Sequence, residues 1–495
     1  MIVLDNLSLV ESGLSFKDIE EKIYKTVCDV GCKIIKEVLE HLDRRLMEKR
    51  DSKLLRNKGL KHTCIKTIMG NLEFDRRIYE FKMDDGKKGF KFLLDEQLQM
   101  DTIGHYSSSL VDKVIDNICD LSFRKTAANI EKLSNQSISH TAVWNIVKKV
   151  GTTIENKDIN KMNNYNQGKL NGAKECKVVF QEMDGLWISM QGKDRPQSGK
   201  SRKKEIKLGI IYEGWQKRPG SQKEYEVINK TTYTTFEGSK VFKALGEATL
   251  AEIYNVDEIH TRIINGDGAP WIRQSADAEA VYYQLDPFHR SQAIVRAVKD
   301  KSERKAVIKL FNEGKATEGL EYITKLLIKY NNDEKAFKKL SDLYNYFVAN
   351  KSGLVPYHLR KDLVIPQPPK GVEFRTLGTM EHNICDILAK RLKGRKRSWS
   401  NKGATNIAKI LTEKANNRIG SIVENAYKNI VSDELAHRFE DIVVLHPEAV
   451  DRNLKKCKSY NMKKAAMPYD GCAMTEGRNT IRNLIRNRTM NNLGF

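Results

Sequence analysis

Two segments of this chain share one pattern. Val178-Val179-Phe180-Gln181-Glu182-Met183-Asp184-Gly185 is an apolar run leading into an acid and a glycine, and Ile263-Ile264-Asn265-Gly266-Asp267-Gly268 repeats it. A short apolar run bounded by glycine reads as a buried strand. The pattern predicts two buried strands, each ending at a carboxylate. A third acid, Glu381, opens a helical stretch in Gly378-Thr379-Met380-Glu381-His382-Asn383. Such a chain needs a central sheet with acids at its strand ends and a helix beside them.

The elements around these acids follow a definite order. Strand-like runs cover 176–183, 186–191, 205–213 and 225–235. A helix is expected from about Ser239 to Tyr254, then strands at 259–265 and Val281–Leu285. Consecutive strands followed by alternating helix and strand are the order of a ribonuclease H-like core. From Ala293 to Val348 the chain is charged and helical, with no strand signal. That stretch is too long for a plain connection between Asp267 and Glu381, so an inserted helical subdomain is expected. After Glu381 one helix should run to about Lys393, and more from Ala404 to about Phe439.

Ahead of the core, residues 16–55 carry Ile19, Ile23, Val27, Val30, Ile34 and Val38 at helical steps. His62 to Phe81 alternates like strands, with Met69-Gly70-Asn71 as the turn. Residues 121–150 read as a helix-turn-helix. Phe123–Leu133 would bury Ala127, Ile130 and Leu133, and Ser134-Asn135-Gln136 would make the turn. Ser139 would cap a second helix that buries Ala142, Val143, Ile146 and Val147. That helix leaves His140, Thr141, Asn145 and Lys148 outside, where they could enter a major groove. An ordinary helical hairpin fits the same pattern. Residues 156–174 are Asn- and Lys-rich with little apolar content, and read as a linker.

The fold class expected is multidomain α+β and α/β. It comprises an N-terminal helical and β-hairpin region (1–118), a helix-turn-helix segment (119–155) and the linker. A ribonuclease H-like catalytic core (175–292 and 370–440) would follow, with an inserted all-α subdomain (293–369) and a basic C-terminal tail (441–495).

Charge suggests the partner. The 495 residues carry a net charge of +22, which favours a polyanion because Lys and Arg that neutralise phosphates release counterions. Part of that charge belongs to a general Lys- and Asn-rich composition. The eight cysteines form no CxxC pair and read as reduced thiols. No apolar run approaches the ~18 residues of a membrane span, and Met1-Ile2-Val3-Leu4-Asp5 does not open a signal peptide. A cytoplasmic protein that meets DNA, with no membrane partner, is the expectation.

Phosphodiester cleavage needs an activated oxygen and neutralisation of charge on the phosphate. Two Mg²⁺ ions about 3.5–4 Å apart can supply both, and two or three carboxylates suffice to hold them. Asp184 would bridge the ions, Asp267 would hold one and Glu381 the other; Mn²⁺ could substitute. Taken singly, each acid has a plainer use, Asp184 and Asp267 in turns and Glu381 at a helix N-terminus. Asp194 and Asp257 are rival acids, in a polar turn and at a helix-to-strand junction.

Leu285-Asp286-Pro287-Phe288-His289 matches the Asp-or-Cys-x-x-His motif that follows the second acid in Mutator-like and hAT-like DDE transposases. The Glu381 segment, with Lys390-Arg391 after it, resembles the helix carrying the last acid in related bacterial elements. Over nearly its full length, including Met467-Pro468-Tyr469-Asp470-Gly471-Cys472-Ala473-Met474, the chain resembles ISLre-type insertion-sequence transposases. The resemblance implies metal-dependent DNA cleavage and strand transfer at the ends of the chain's own element. Asp184, Asp267 and Glu381 would be the metal ligands. His289 would lie close to the scissile phosphate, with Asp286 as its structural partner.

Lys390, Arg391, Lys393, Arg395, Lys396 and Arg397 form the densest basic run, suited to phosphate contact beside the site. Tail residues Arg478, Arg482, Arg486 and Arg488 could track a DNA backbone. Trp271 could stack on an extruded base or pack in the core. The partners expected are double-stranded DNA, as terminal inverted repeats and as target, and a second copy of the chain in a homodimer or larger assembly. Two other classes stay open, a silent transposase-derived DNA-binding protein and a ribonuclease H-like nuclease without transposition.

Overall fold

The structure is a computed structural model that describes residues 15–83, 85–98, 106–196, 202–221, 223–276, 278–394 and 397–426. Arg395, Lys396, the tail arginines and the Met467–Met474 motif lie outside the described residues. Residues Ile23–Ile430 form one compact unit. Of the second unit, Met1–Lys22 with Val431–Phe495, only residues 15–22 are described, as the start of a helix.

That helix, α1 (Phe16–Lys49), precedes an antiparallel sheet of β1 (Arg56–Thr67), β2 (Gly70–Lys82) and β3 (Lys88–Lys91). The β1–β2 hairpin closes at Thr67↔Gly70, on the turn expected from Met69-Gly70-Asn71. Helices α2 (Leu93–Leu98), α3 (Ser108–Ile118), α4 (Phe123–Leu133) and α5 (His140–Asn166) follow. Ser107, Ser122 and Ser139 cap the last three, each side-chain oxygen accepting a backbone N–H of the first turn.

Two expectations fail here. Leu133 is 66% exposed rather than inward-facing, and Thr126 is buried in its place beside Ile130. Residues 156–166 are not linker but the last turns of α5. Their partners are polar: Lys161 pairs with Glu252 at 2.7 Å, and Asp158 with Lys409 at 2.5 Å. An apolar count alone cannot reveal a helix held in this way.

The central sheet is mixed. Its strands are β4 (Val178–Ser189), β5 (Lys203–Tyr212), β8 (Thr231–Thr235), β9 (Thr261–Gly266) and β10 (Val281–Leu285), in the order β10-β9-β4-β5-β8. A small ribbon of β6 (Trp215–Lys217) and β7 (Tyr225–Val227) lies between β5 and β8 in the chain. β10, β9 and β4 run parallel, whereas β5 and β8 are antiparallel to their neighbours. Helices α6 (Ser239–Ile253), α7 (Pro270–Arg273), α8 (Pro287–Ala297), α9 (Lys301–Asn312), α10 (Ala316–Lys329) and α11 (Glu334–Ala349) complete this half. The chain then runs through single 3₁₀ turns to α12 (Met380–Ile384). A π-helical turn at Cys385–Ala389 leads into α13 (Lys390–Leu392), followed by α14 (Asn401–Ala415) and α15 (Ile419–Ala426).

Strand alternation divides the core in two. Phe180, Leu186, Ile188, Leu208 and Ile263 pack toward α3, α4, α5, α14 and the Glu381 helix. Val179, Met183, Ile211, Ile264 and Leu285 pack toward α6 and α8–α11. The helices of residues 293–349 therefore share a core with the sheet. Among the described residues no helix is long and apolar enough to cross a membrane.

Candidate active site

The parallel ladder stops where the acids begin. β4 pairs with β9 up to Met183↔Gly266, and β10 with β9 up to Leu285↔Gly266. Asp184, Asp267 and Asp286 are the next residue on each strand. Strand β4 itself does not end at Asp184, as the acid-glycine pattern suggested. It continues to Ser189 against β5 alone, with Asp184 opposite Leu208. The acids lie outside the carboxyl ends of the parallel strands, the usual ligand position in open α/β sheets.

Beneath Asp184 and Asp267 lies a buried polar layer: Glu182 and Asn265, each two residues back along its strand, joined by Asp286 from the end of β10. Glu182 and Asn265 are 0% exposed and Asp286 is 4%. Asn265 Nδ2 donates to Glu182 Oε2 at 2.9 Å and to Asp286 Oδ2 at 2.8 Å. Glu182 also accepts from the Tyr212 hydroxyl at 2.5 Å and the Thr379 hydroxyl at 2.8 Å. The backbone N–H groups of Gly378, Thr379 and Met380 donate to it at 3.2–3.3 Å. One carboxylate on β4 thus fastens the first turn of the helix that presents Glu381. Gly378 turns into that helix at φ +129°, a region closed to most side chains. Burial, then the Asp286 charge, raises the Glu182 pKa.

Asp286 sets the other helix. Its Oδ1 accepts from the backbone N–H of Phe288 at 2.8 Å and of His289 at 3.0 Å, capping α8. His289 is thereby aimed at Asp184, with Nε2 3.9 Å from Oδ2. Donor atoms of Asp184, His289 and Glu381 all lie within 4.8 Å of one another. Asp267 stands beside this group; its Oδ1 accepts from Ala269 N–H at 2.9 Å. Burial lifts the Asp184 pKa to about 6, and the charges of Asp267 and Glu381 push the same way. The Gly185 N–H and His289 pull against them. Among the described residues no Lys or Arg side chain pairs with Asp184, Asp267 or Glu381, although the chain has 86 such residues. Unneutralised carboxylates with an imidazole among them suit a divalent cation.

The helical stretch after β10 supports the second acid. The Tyr346 hydroxyl donates to the Asp267 carbonyl at 2.6 Å, and Asn350 Nδ2 to the Tyr346 carbonyl at 2.8 Å. Gly268, at φ +92°, lies so close that an added Cβ would sit 2.9 Å from Asn350 and Tyr346. Glu182, Asn265, Thr379 and Tyr346 were not singled out from the sequence. A signal existed for two of them, since Glu182 and Asn265 are polar residues inside apolar strands, two before an acid.

The basic run splits. Lys390 pairs with Asp386 at 2.6 Å, and Lys393 is exposed. Arg397 donates to the carbonyls of Lys390, Arg391 and Lys393. Arg391 does not face a phosphate. It is buried, donating to the carbonyls of Ile118 and Leu121 at 2.9 Å and lying 5.0 Å from the Trp399 ring centre. Burial lowers its pKa to about 10. Arg391→Ala should lower unfolding stability by about 2–4 kcal/mol in urea denaturation, since both carbonyls lose a charged donor. Lys should restore little, because one ammonium cannot serve both. An unchanged midpoint would refute this.

His140, Thr141, Asn145 and Lys148 are exposed on α5, opposite buried Ala142, Val143, Ile146 and Val147. Trp271 meets Phe242 edge-on at 5.2 Å and packs against the second core. Asp194 accepts the Asn401 backbone N–H at 2.8 Å, and Asp257 sits in a 3₁₀ turn.

Fold and site together define a multidomain α+β protein with a cluster of acids and one histidine at the end of a mixed sheet. The chain belongs to the uncharacterised protein family UPF0236, whose profile matches residues 9–428. A UPF0236 protein of Caldanaerobacter subterraneus subsp. tengcongensis is 24% identical over 409 residues, 81% of this chain and 78% of the relative. A UPF0236 protein of Streptococcus gallolyticus, from the vanSb 3′ region, is 23% identical over 86% of this chain and 89% of its own. Among solved structures, the Drosophila P element transposase strand transfer complex superposes with TM-score 0.20 at 9% identity, over 71% of this chain and 87% of that one. The pre-cleavage Mos1 transpososome gives 0.12 at 11%, over 50% and 79%. Scores this low do not establish a shared fold.

Proposed function

We propose that this chain is a DDE-type transposase of the ISLre kind, which cuts and joins DNA at the ends of its own mobile element. One observation carries the reading: Asp184 and Glu381 converge with His289, and Asp267 stands beside them, at the open end of the parallel strands. The strand order, three antiparallel strands with two parallel ones added beside the first, supports a ribonuclease H-like core. One relative is named for eleven loci of a single genome, the pattern of a gene repeated by mobility.

In this reading Asp184, Asp267 and Glu381 hold divalent cations, Mg²⁺ or Mn²⁺. A cation there supplies charge that offsets the transferring phosphate and makes a water or 3′-hydroxyl easier to deprotonate. The protein's own part is placement. Glu182 fixes the Glu381 helix, Asp286 fixes the His289 helix, and Tyr346 steadies the Asp267 loop. The exposed α5 face of His140, Thr141, Asn145 and Lys148 reads the terminal repeats, and two copies bring two ends together.

The test is cleavage of a supercoiled plasmid carrying the element's ends, with Mg²⁺, against a plasmid of random sequence. End-specific cleavage that Asp267→Ala abolishes supports the reading. Cutting of both plasmids alike, without joining, favours the nuclease alternative. Tight binding of the ends with no cleavage favours the silent DNA-binding protein. For the recognition face, Lys148→Glu should weaken binding to the ends and reduce the salt slope by about 1, with an unchanged melting temperature. Equal binding by the variant would remove α5 from the interface.

A further inference from the structure

We infer that His289 is itself a ligand of the resident cation, and that the primary ion is held by two carboxylates and an imidazole nitrogen rather than by three carboxylates. The inference rests on the proposed cation site and sharpens it. The resemblance put His289 at the scissile phosphate; the geometry gives it a different first partner. Its Nε2 lies 3.9 Å from Asp184 Oδ2, too long for a hydrogen bond. Two neighbouring donors bonded at about 2.0–2.2 Å to one ion lie roughly 3–3.6 Å apart, so a closure of a few tenths of an ångström brings the 3.9 Å pair to that spacing. Glu381 offers an oxygen within 4.8 Å of both. Asp267 is outside this mutual group, and one of its oxygens is engaged by Ala269 N–H.

The scaffold holds these three residues in place. Each stands on an element tied to the buried Glu182–Asn265–Asp286 layer. Asp184 follows Glu182 on β4, Glu381 is on the helix whose first turn Glu182 holds, and His289 is on the helix that Asp286 caps. Asn265, donating to both buried acids, joins the two helices across the strands. Such underlying hydrogen bonding orients donors in metal sites.

An imidazole among the donors selects the ion. Mg²⁺ prefers oxygen alone, whereas imidazole suits borderline first-row cations. The site should therefore favour Mn²⁺ over Mg²⁺ by more than an all-carboxylate site would.

The experiment is Mn²⁺ titration of the full chain without DNA, read by electron paramagnetic resonance. Pulsed measurement would detect ¹⁴N coupling to the bound ion, and competition with Mg²⁺ would give relative affinity. The wild type should show one tight Mn²⁺ site with ¹⁴N coupling. His289→Asn should lose the coupling, and its Mn²⁺ affinity should fall on the order of tenfold, with a smaller change for Mg²⁺. His289→Asp, which restores a donor, should bind Mn²⁺ without coupling. Bound Mn²⁺ lacking ¹⁴N coupling in the wild type, or coupling that survives in His289→Asn, overturns the inference. If Asp184→Asn still abolishes binding in that case, the cation site stands without His289. No saturable Mn²⁺ site in the wild type overturns both.

Discussion

Asp184→Asn should make the protein more stable in the absence of divalent cations while abolishing DNA cleavage. Burial first, and then Asp267 and Glu381, raise the Asp184 pKa to about 6. The folded chain therefore holds this proton more tightly than the unfolded chain. Where the folded state binds more protons, stability falls as pH rises. The penalty grows from the ordinary carboxylate range up to about pH 6 and is fully present above it. A shift of this size corresponds to about 2–3 kcal/mol. Asn removes the charge and keeps an oxygen for the Gly185 N–H, which Asp184 Oδ1 accepts at 2.6 Å.

The measurement is thermal unfolding in EDTA. The variant should melt higher than wild type at pH 7.5, and the gap should narrow as pH falls and close only below the ordinary carboxylate range. Added Mn²⁺ should then stabilise the wild type by linkage and leave the variant unchanged. Equal melting at pH 7.5 would show that the acids do not strain one another. In the plasmid assay the same variant should retain binding to the ends and lose cleavage by about a thousandfold or more, the scale of losing a group that organises transition-state charge.

Glu182→Ala should have the opposite effect on stability, and a larger one. Six donors converge on this fully buried carboxylate: the Tyr212 and Thr379 hydroxyls, the Asn265 amide and three backbone N–H groups of residues 378–380. Truncation strands them in a space with no room for bulk water. Loss of one side of a buried charged network costs about 3–5 kcal/mol. The urea midpoint should drop accordingly, and cleavage should fall because the Glu381 helix loses its anchor. Glu182→Gln, which turns an N–H₂ toward donors, should fold better than Ala yet stay defective in Mn²⁺ binding. A loss below about 1 kcal/mol for Ala, the worth of an ordinary hydrogen bond, would mean that the turn at Gly378 holds by itself.

Legibility followed what each residue needed. β10 at Val281–Leu285 and α6 at Ser239–Ile253 fall where periodicity put them, because both are set by local pattern and turn residues. The α5 cap and inner face did too, Ser139 accepting the Ala142 N–H at 3.1 Å. Arg391 misled because a basic run looks the same whether its members face solvent or a helix terminus. The end of α5 misled because its partners, Glu252 and Lys409, lie far along the chain.

The sequence by itself determined where the apolar strand runs lie and which acids sit along them, since alternation and glycine positions are local properties; it did not set the limits of β4, which runs on past Asp184. Tertiary structure decided which acids meet. The parallel ladder ends at Gly266 beside Asp184, and the Glu182–Asn265–Asp286 layer carries His289 and Glu381 to Asp184. Those hydrogen bonds join residues up to 198 positions apart. Their partners are chosen by how the sheet and helices pack, which no local spacing records.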